Sequence, residues 1–133
     1  MAQNPIEIIL LQQWASMMTV PIWITDAAGE LLYFNEPTED LIGVRFDEAG
    51  EMPASILSER FSLCNVDGTP VADHDRPLMI ALHKLQPAQR ELQMMDDAGQ
   101  KKIVSDTAIP IIGEGDRPLG ALVILWESGD SHS

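Results

Sequence analysis

Few residues in this 133-residue chain are of types that could carry chemistry: one cysteine, Cys64, three histidines including His74 and His83, and a scatter of carboxylates that includes Asp73, Asp75, Asp96, Asp97 and Asp106. A lone thiol cannot close an internal disulfide, and no Cys/His spacing matches a zinc site. No Ser/His/Asp order contains a nucleophile elbow, and no glycine-rich loop is placed to cradle phosphate. Asp73/Asp75 and Asp96/Asp97 stand where helix caps and turns put acids, so no pair reads as a general acid and base. Neither a catalytic residue nor a metal-ligand set is expected, and the chain reads as a non-enzyme. His74 sits between two carboxylates, where capping or exposure accounts for it. Asp106 stands apart, because a carboxylate flanked by apolar strand residues is costly if buried without a partner. It needs a hydrogen bond from a ligand, a water or a polar neighbour such as Thr25, or a strand twist that exposes it. An internal or water-mediated partner is the expected solution.

The charge balance removes several classes of partner. Lys plus Arg total 8 against 21 Asp plus Glu, a formal net charge of −13. The phosphate-neutralising term that drives nucleic-acid binding is then repulsive, and anionic membranes are disfavoured for the same reason. The chain is 45% hydrophobic with 5% aromatics, enough for one core of aliphatic and Met side chains, and its length suits one domain. The apolar run Ile8-Ile9-Leu10-Leu11 has no basic residue before it and meets Gln12-Gln13 at once, unlike a signal peptide or a membrane span. A cytoplasmic location is expected.

The elements follow from capping and periodicity. Asn4 as N-cap, Pro5 at the first helical position and Glu7 as a capping-box acid predict a helix over about 7–18. Its apolar stripe is Leu11, Trp14 and Met18 with Ile8 and Ala15 beside them, and Val20-Pro21 ends it. Residues 22–25 and 31–34 are β-prone around Asp26-Ala27-Ala28-Gly29, which predicts a hairpin. Asn35 then caps a short helix that stops at Gly43 after Ile42. Residues 44–72 are irregular, with one helical turn near 55–61. Asp73 or Asp75 caps a further helix whose apolar face is Leu78, Ala81, Leu82 and Leu85; His83 lies off that face and reads as solvated. Three β-prone runs, 89–95, 101–112 and 119–126, are separated by turns at Asp97-Ala98-Gly99 and Gly113-Glu114-Gly115-Asp116. Five antiparallel strands with the helices segregated mid-chain make an α+β arrangement.

That order, together with its residues, resembles the PAS family over about residues 21–127. The resemblance is carried by Ile24-Thr25-Asp26-Ala27-Ala28-Gly29 with Leu31 to Asn35, by Glu39-Asp40-Leu41-Ile42-Gly43, by Val66-Asp67-Gly68-Thr69-Pro70-Val71 with Arg76-Pro77-Leu78 and Ala81-Leu82, and by Ala108-Ile109-Pro110-Ile111 with Leu119-Gly120-Ala121-Leu122-Val123. It implies a five-stranded antiparallel sheet with helices on one face and an N-terminal capping helix: residues 1–19 the amphipathic helix, 20–127 the PAS domain, 128–133 a disordered tail. Where many members exit through an Asp-Ile-Thr-like motif into an output domain, this chain has Trp126-Glu127-Ser128-Gly129, and no attached output domain is expected.

The family's strand register implies that Trp23, Thr25, Val104, Asp106, Ala108, Ala121, Val123 and Leu125 face the helices and line a ligand cup. The opposite face would carry Ile22, Ile24, Ile109, Leu122, Ile124 and Trp126, covered by Leu11, Trp14 and Met18 of the first helix. In this family such helices often pack across a two-fold axis, which implies a homodimer formed through Leu11, Trp14, Met18, Ile124 and Trp126. The implied function is a sensory and signal-transduction module of bacterial two-component type, which binds a small apolar ligand or a partner, signals through dimer packing and hands its signal to an output protein. An interaction module without ligand is the alternative. Flavin-binding members carry Asn-Cys-Arg-Phe-Leu-Gln, whereas Cys64 lies in Ser62-Leu63-Cys64-Asn65, so flavin is not expected. Haem-binding members ligate iron by a central-helix histidine, for which His74 and His83 are imperfect matches; no cofactor is expected, with haem the lesser alternative.

Overall fold

The structure, a computed structural model, describes residues 4–43, 45–49, 52–53, 55–95 and 99–127. The predicted tail 128–133 and most of the predicted turn at Asp97-Ala98-Gly99 lie outside the described residues. One antiparallel sheet runs through the molecule, built from β1 (Ile22–Asp26), β2 (Leu31–Phe34), β3 (Cys64–Asn65), β4 (Ala88–Met95), β5 (Lys101–Ile112) and β6 (Pro118–Glu127), in the order β2-β1-β6-β5-β4-β3. The five predicted strands are present with ends within a residue of expectation. The count of five is nonetheless corrected to six: β3 is a two-residue edge strand pairing Cys64 with Gln93 and Asn65 with Leu92. Two residues are too short to show the alternation by which a strand is read.

Among the described residues five α-helices flank the sheet: α1 (Ile6–Ala15), α2 (Glu36–Ile42), α3 (Phe46–Ala49), α4 (Ser55–Arg60) and α5 (Pro77–Lys84). On the inner sheet face, Trp23, Val104, Ala108, Ala121, Val123 and Leu125 pack with Leu57 and Phe61 at α4 and Ala81 of α5, backed by Leu41, Ile42 and Phe46 of α2 and α3. On the outer face, Ile22, Ile24, Ile111, Leu122 and Ile124 form a second cluster with Ile8 and Ala15 of α1. β1 and β6 can pack this closely because residue 120 is glycine, where a Cβ would overlap the Thr25 carbonyl.

Several helix boundaries correct the sequence reading. Pro5, not Asn4, is the N-cap of α1, and no side chain caps that end; the Pro5 carbonyl accepts from the amides of Ile8 and Ile9. The helix stops at Ala15, and tight turns from Met17 to Trp14 and from Met18 to Ala15 lead to Pro21. Asp73 and Asp75 do not cap α5: they belong to a 3-10 turn, after which extended Arg76 is the N-cap and Pro77 opens the helix. Leu85 is not on the apolar face either, since it takes a left-handed conformation (φ 55°) that ends the helix and leaves its side chain exposed. The α2 boundaries match expectation, with Asn35 as N-cap and left-handed Gly43 at the other end.

Candidate functional site

Alternation along three adjacent strands sets the floor of the site. Register pairs Trp23 with Val123, Thr25 with Ala121, Asp106 with Leu125 and Ala108 with Val123, which puts all of them on one face. With Val104, all eight predicted cup residues are buried. They divide into two groups. Trp23, Asp106 and Val123 line a cavity of about 470 Å³ between the sheet and α5. Val104, Ala108, Ala121 and Leu125 are packed into the inner core beside it, and Thr25 turns its hydroxyl to the Asp26 carbonyl at 2.9 Å. Leu78, Met79, Leu82 and His83 of α5 form the opposite wall, Asp73 and Arg76 stand at the helix entrance, and Glu59, Pro53, Ala28 and Gly29 close the rim. Trp23 is held in place by stacking on Phe61, with ring centroids 5.6 Å apart.

Asp106 is the chemically distinctive group in this cavity. It is 7% exposed, and no protein group hydrogen-bonds its Oδ1 among the described residues. Thr25 is therefore not the predicted internal partner. Arg90 lies directly across on β4, but its Nε and Nη2 both donate to Asn65 Oδ1, at 3.1 and 2.9 Å, so β3 holds that guanidinium. Burial pushes the Asp106 carboxyl up to about 7, with the Arg76 guanidinium pulling the other way. Arg76 makes only a loose pair, its Nε 3.6 Å from Asp73 Oδ1.

The remaining chemistry-bearing residues lie elsewhere. The His74 side chain is 85% exposed beside Asp75 and does not line the cavity, whereas His83 reaches its rim. Cys64 is half-buried on β3, outside the cavity lining, and its Sγ lies 3.7 Å from Gln93 Nε2. No group of three or more His, Cys, Asp or Glu suited to a metal ion occurs among the described residues, and no described helix is long and apolar enough to cross a membrane.

On the outer face, the predicted lid is corrected in part. Ile8 and Ala15 are fully buried and seal the sheet, and Leu11 and Met18 pack against the same cluster. Trp14 is 38% exposed and turned away from it. Ile124 lies beneath the lid, whereas Ile109 and Trp126 are partly exposed.

Asn35 does far more than cap a helix. Fully buried, it donates from Nδ2 to the Ala15 and Val20 carbonyls at 3.0 and 2.9 Å, and its Oδ1 accepts from the Ile22 amide and the Thr38 hydroxyl, both at 3.0 Å. One side chain thus ties together the end of α1, the connector, β1 and α2. Sequence spacing signals only the cap, because the other partners are 13 to 20 residues away.

No family model and no curated protein sequence matches the chain. Solved structures do. The PAS domain of a Colwellia psychrerythraea protein aligns at TM-score 0.61 and 22% identity, over 90% of this chain and 97% of that one. The PAS domain of BvgS from Bordetella pertussis aligns at 0.65 and 17%, over 94% and 87%. The PAS domain of nitrogen regulation protein NR(II) from Vibrio parahaemolyticus aligns at 0.60 and 20%, over 90% and 98%. With the antiparallel sheet, the helices over its inner face and α1 behind it, these likenesses establish that the chain has the PAS fold.

Proposed function

We propose that the chain is a PAS-type sensory module in which a small molecule enters the cavity between β1, β6 and α5, and its occupancy is passed through the sheet to α1. The observation that carries this reading is the cavity itself. At about 470 Å³ it falls in the size range of small-molecule sites, with apolar walls from Trp23, Val123, Leu78 and Leu82 and a few polar groups. An interaction module whose cup is filled by its own side chains would leave no such space. Coupling follows from alternation: Trp23 and Val123 touch the cavity, while their neighbours Ile22, Ile24, Leu122 and Ile124 seat α1. A ligand favouring one spacing of β1 and β6 therefore biases the seat of α1. A thermal-shift screen of small apolar molecules against the full chain is expected to find stabilising compounds whose effect disappears in Leu82→Trp, a substitution that fills the cavity. A parent that no compound stabilises overturns the reading.

We further propose a homodimer through α1. Ile6 is 61% exposed, Leu10 56% and Met17 75%; with Trp14 they recur at four-, four- and three-residue spacing. Ile6, Leu10 and Trp14 lie on the side of the helix opposite Ile8, Leu11 and Ala15, with Met17 in the turn that follows, so α1 is apolar on both sides and one of them is exposed. The dimer thus rests on Ile6, Leu10, Trp14 and Met17, with Leu11, Met18 and Ile124 committed to the sheet. Leu10→Glu is expected to halve the mass measured by light scattering and leave the melting temperature within a few degrees. A parent that runs as a monomer refutes the dimer. The position of Cys64 outside the cavity and of His74 in solvent favours a module without flavin or haem, for which a featureless visible absorption spectrum is expected; a Soret band would reassign His83.

A further inference from the structure

The cavity also indicates the kind of molecule it takes, an inference that rests on the ligand-binding reading above. We propose that the ligand is a small organic cation, an apolar body bearing a protonated amine, whose ammonium group seats against Asp106 on the cavity floor.

The first support is the orphaned acceptor. Asp106 Oδ1 is buried, lines the cavity and receives no hydrogen bond from the protein among the described residues. Such a group is costly to leave unmade; the Arg90 guanidinium across from it is committed elsewhere, and Arg76 acts on it through its charge without a hydrogen bond to Oδ1. Arg90 gives two hydrogen bonds to Asn65, and the Thr25 hydroxyl points to the Asp26 carbonyl. An ionised carboxylate only accepts, so the complementary ligand group is a donor, and a charged donor makes the stronger bond.

The second support is the sign of the surroundings. The charged or titratable groups around Asp106 are Arg90 from β4, Asp73 and Arg76 before α5, His83 on α5 and Glu59 from α4; β6 flanks it with Leu125, and Trp23 of β1 shares the cavity lining. With Arg90 held by Asn65, the cavity lining has three carboxylates against one guanidinium, in a chain of net charge −13. An anionic ligand would be repelled on approach and at the floor, and a cation would be drawn in. The third support is the apolar wall. Trp23 contributes an indole to the same cavity lining, and aromatic rings attract desolvated cations. Leu78, Leu82 and Val123 take the hydrocarbon body.

Binding of a cation favours the ionised form of Asp106, so affinity should track its deprotonation. The test is calorimetric titration of the full chain with phenethylamine, 2-phenylethanol and 3-phenylpropionate between pH 5.5 and 8.5. The amine is expected to bind at least tenfold more tightly than either comparison compound. Its affinity should rise by close to tenfold per pH unit below about 7 and level off above it. Asp106→Asn should lose at least tenfold for the amine and flatten the profile; the difference between the two profiles isolates Asp106 from His83 and the other rim groups. Arg76→Gln, which removes the competing cation, should strengthen amine binding severalfold. If the alcohol or the carboxylate binds as well as the amine and Leu82→Trp abolishes that binding, the cavity is a ligand site and the cation proposal falls. Amine binding that Asp106→Asn leaves unchanged also overturns it, and if none of the three probes binds, the cation proposal falls while the ligand-binding reading is decided by the thermal-shift screen.

Discussion

Asp106→Asn is expected to melt higher than the parent at pH 8, and the gap should shrink and then reverse as the pH falls toward 4. The cause is an acid held in a place that disfavours its charge. In the unfolded chain the carboxyl ionises near 3.8, whereas burial raises it to about 7 in the folded one. Below the lower value the group is protonated in both states and contributes nothing. Between the two values folding takes up a proton, and stability falls steadily as pH rises. Above the upper value both states are ionised and the folded state carries the whole cost, on the order of 4 kcal/mol at full burial. Asparagine removes the charge but leaves its amide unpaired, which returns about 1–3 kcal/mol of the gain. A rise of roughly 5 °C at pH 8 is therefore expected for a domain of this size, read by calorimetry on both proteins across the pH range. A gap that does not vary with pH would mean that Asp106 is not the buried acid described. Stability left unclaimed in this way is common where a site must keep a group ready for a ligand.

The second large effect is expected at Asn35. Asn35→Ala removes every bond that this side chain makes, strands the Val20 carbonyl and the buried amide of Ile22, and leaves the Ala15 carbonyl with the Met18 amide alone. Its cost should be about 3–5 kcal/mol, the sum of a lost cap and several unsatisfied groups. Asn35→Asp is the more informative change. It keeps the acceptor that holds Ile22 and Thr38 but replaces the two donors with an oxygen facing two carbonyls. Urea denaturation should rank the parent above both variants. Hydrogen exchange should show α1 amides opening in Asn35→Asp while those of α2 stay protected. Equal protection of the two helices in that variant would show that Asn35 does not fasten α1.

The parts of the fold that were legible in the sequence share a physical cause. Runs such as 101–112 alternate long enough to fix a strand and its two faces, and the turn that follows carries Gly115 and Asp116 where the backbone takes positive φ. The eight inner-face residues share one buried face, yet only Trp23, Asp106 and Val123 reach the cavity. Its remaining walls come from Pro53, Glu59, Asp73, Arg76 and Met79, largely in or beside segments with no period to read. The lid on the outer face was misjudged at Trp14 for a different reason: α1 is apolar on both sides, so periodicity cannot choose the buried one. The missing partner of Asp106 was equally invisible, because it depends on Arg90 being held by Asn65, 25 residues earlier in the chain.

The two-residue length of β3 bears on how this molecule can associate at all. It covers β4 only at Leu92 and Gln93, and at the other end of the sheet the edge of β2 is met by a bridge from Glu30 to Pro53 and by the Leu31 amide bonding to the Met52 carbonyl. Among the described residues the outermost strands, β3 and β2, are only two and four residues long, and short edge strands are a common defence against strand addition. Growth of the sheet into fibres or edge-joined oligomers is discouraged wherever an edge is this short or already met by a neighbouring segment.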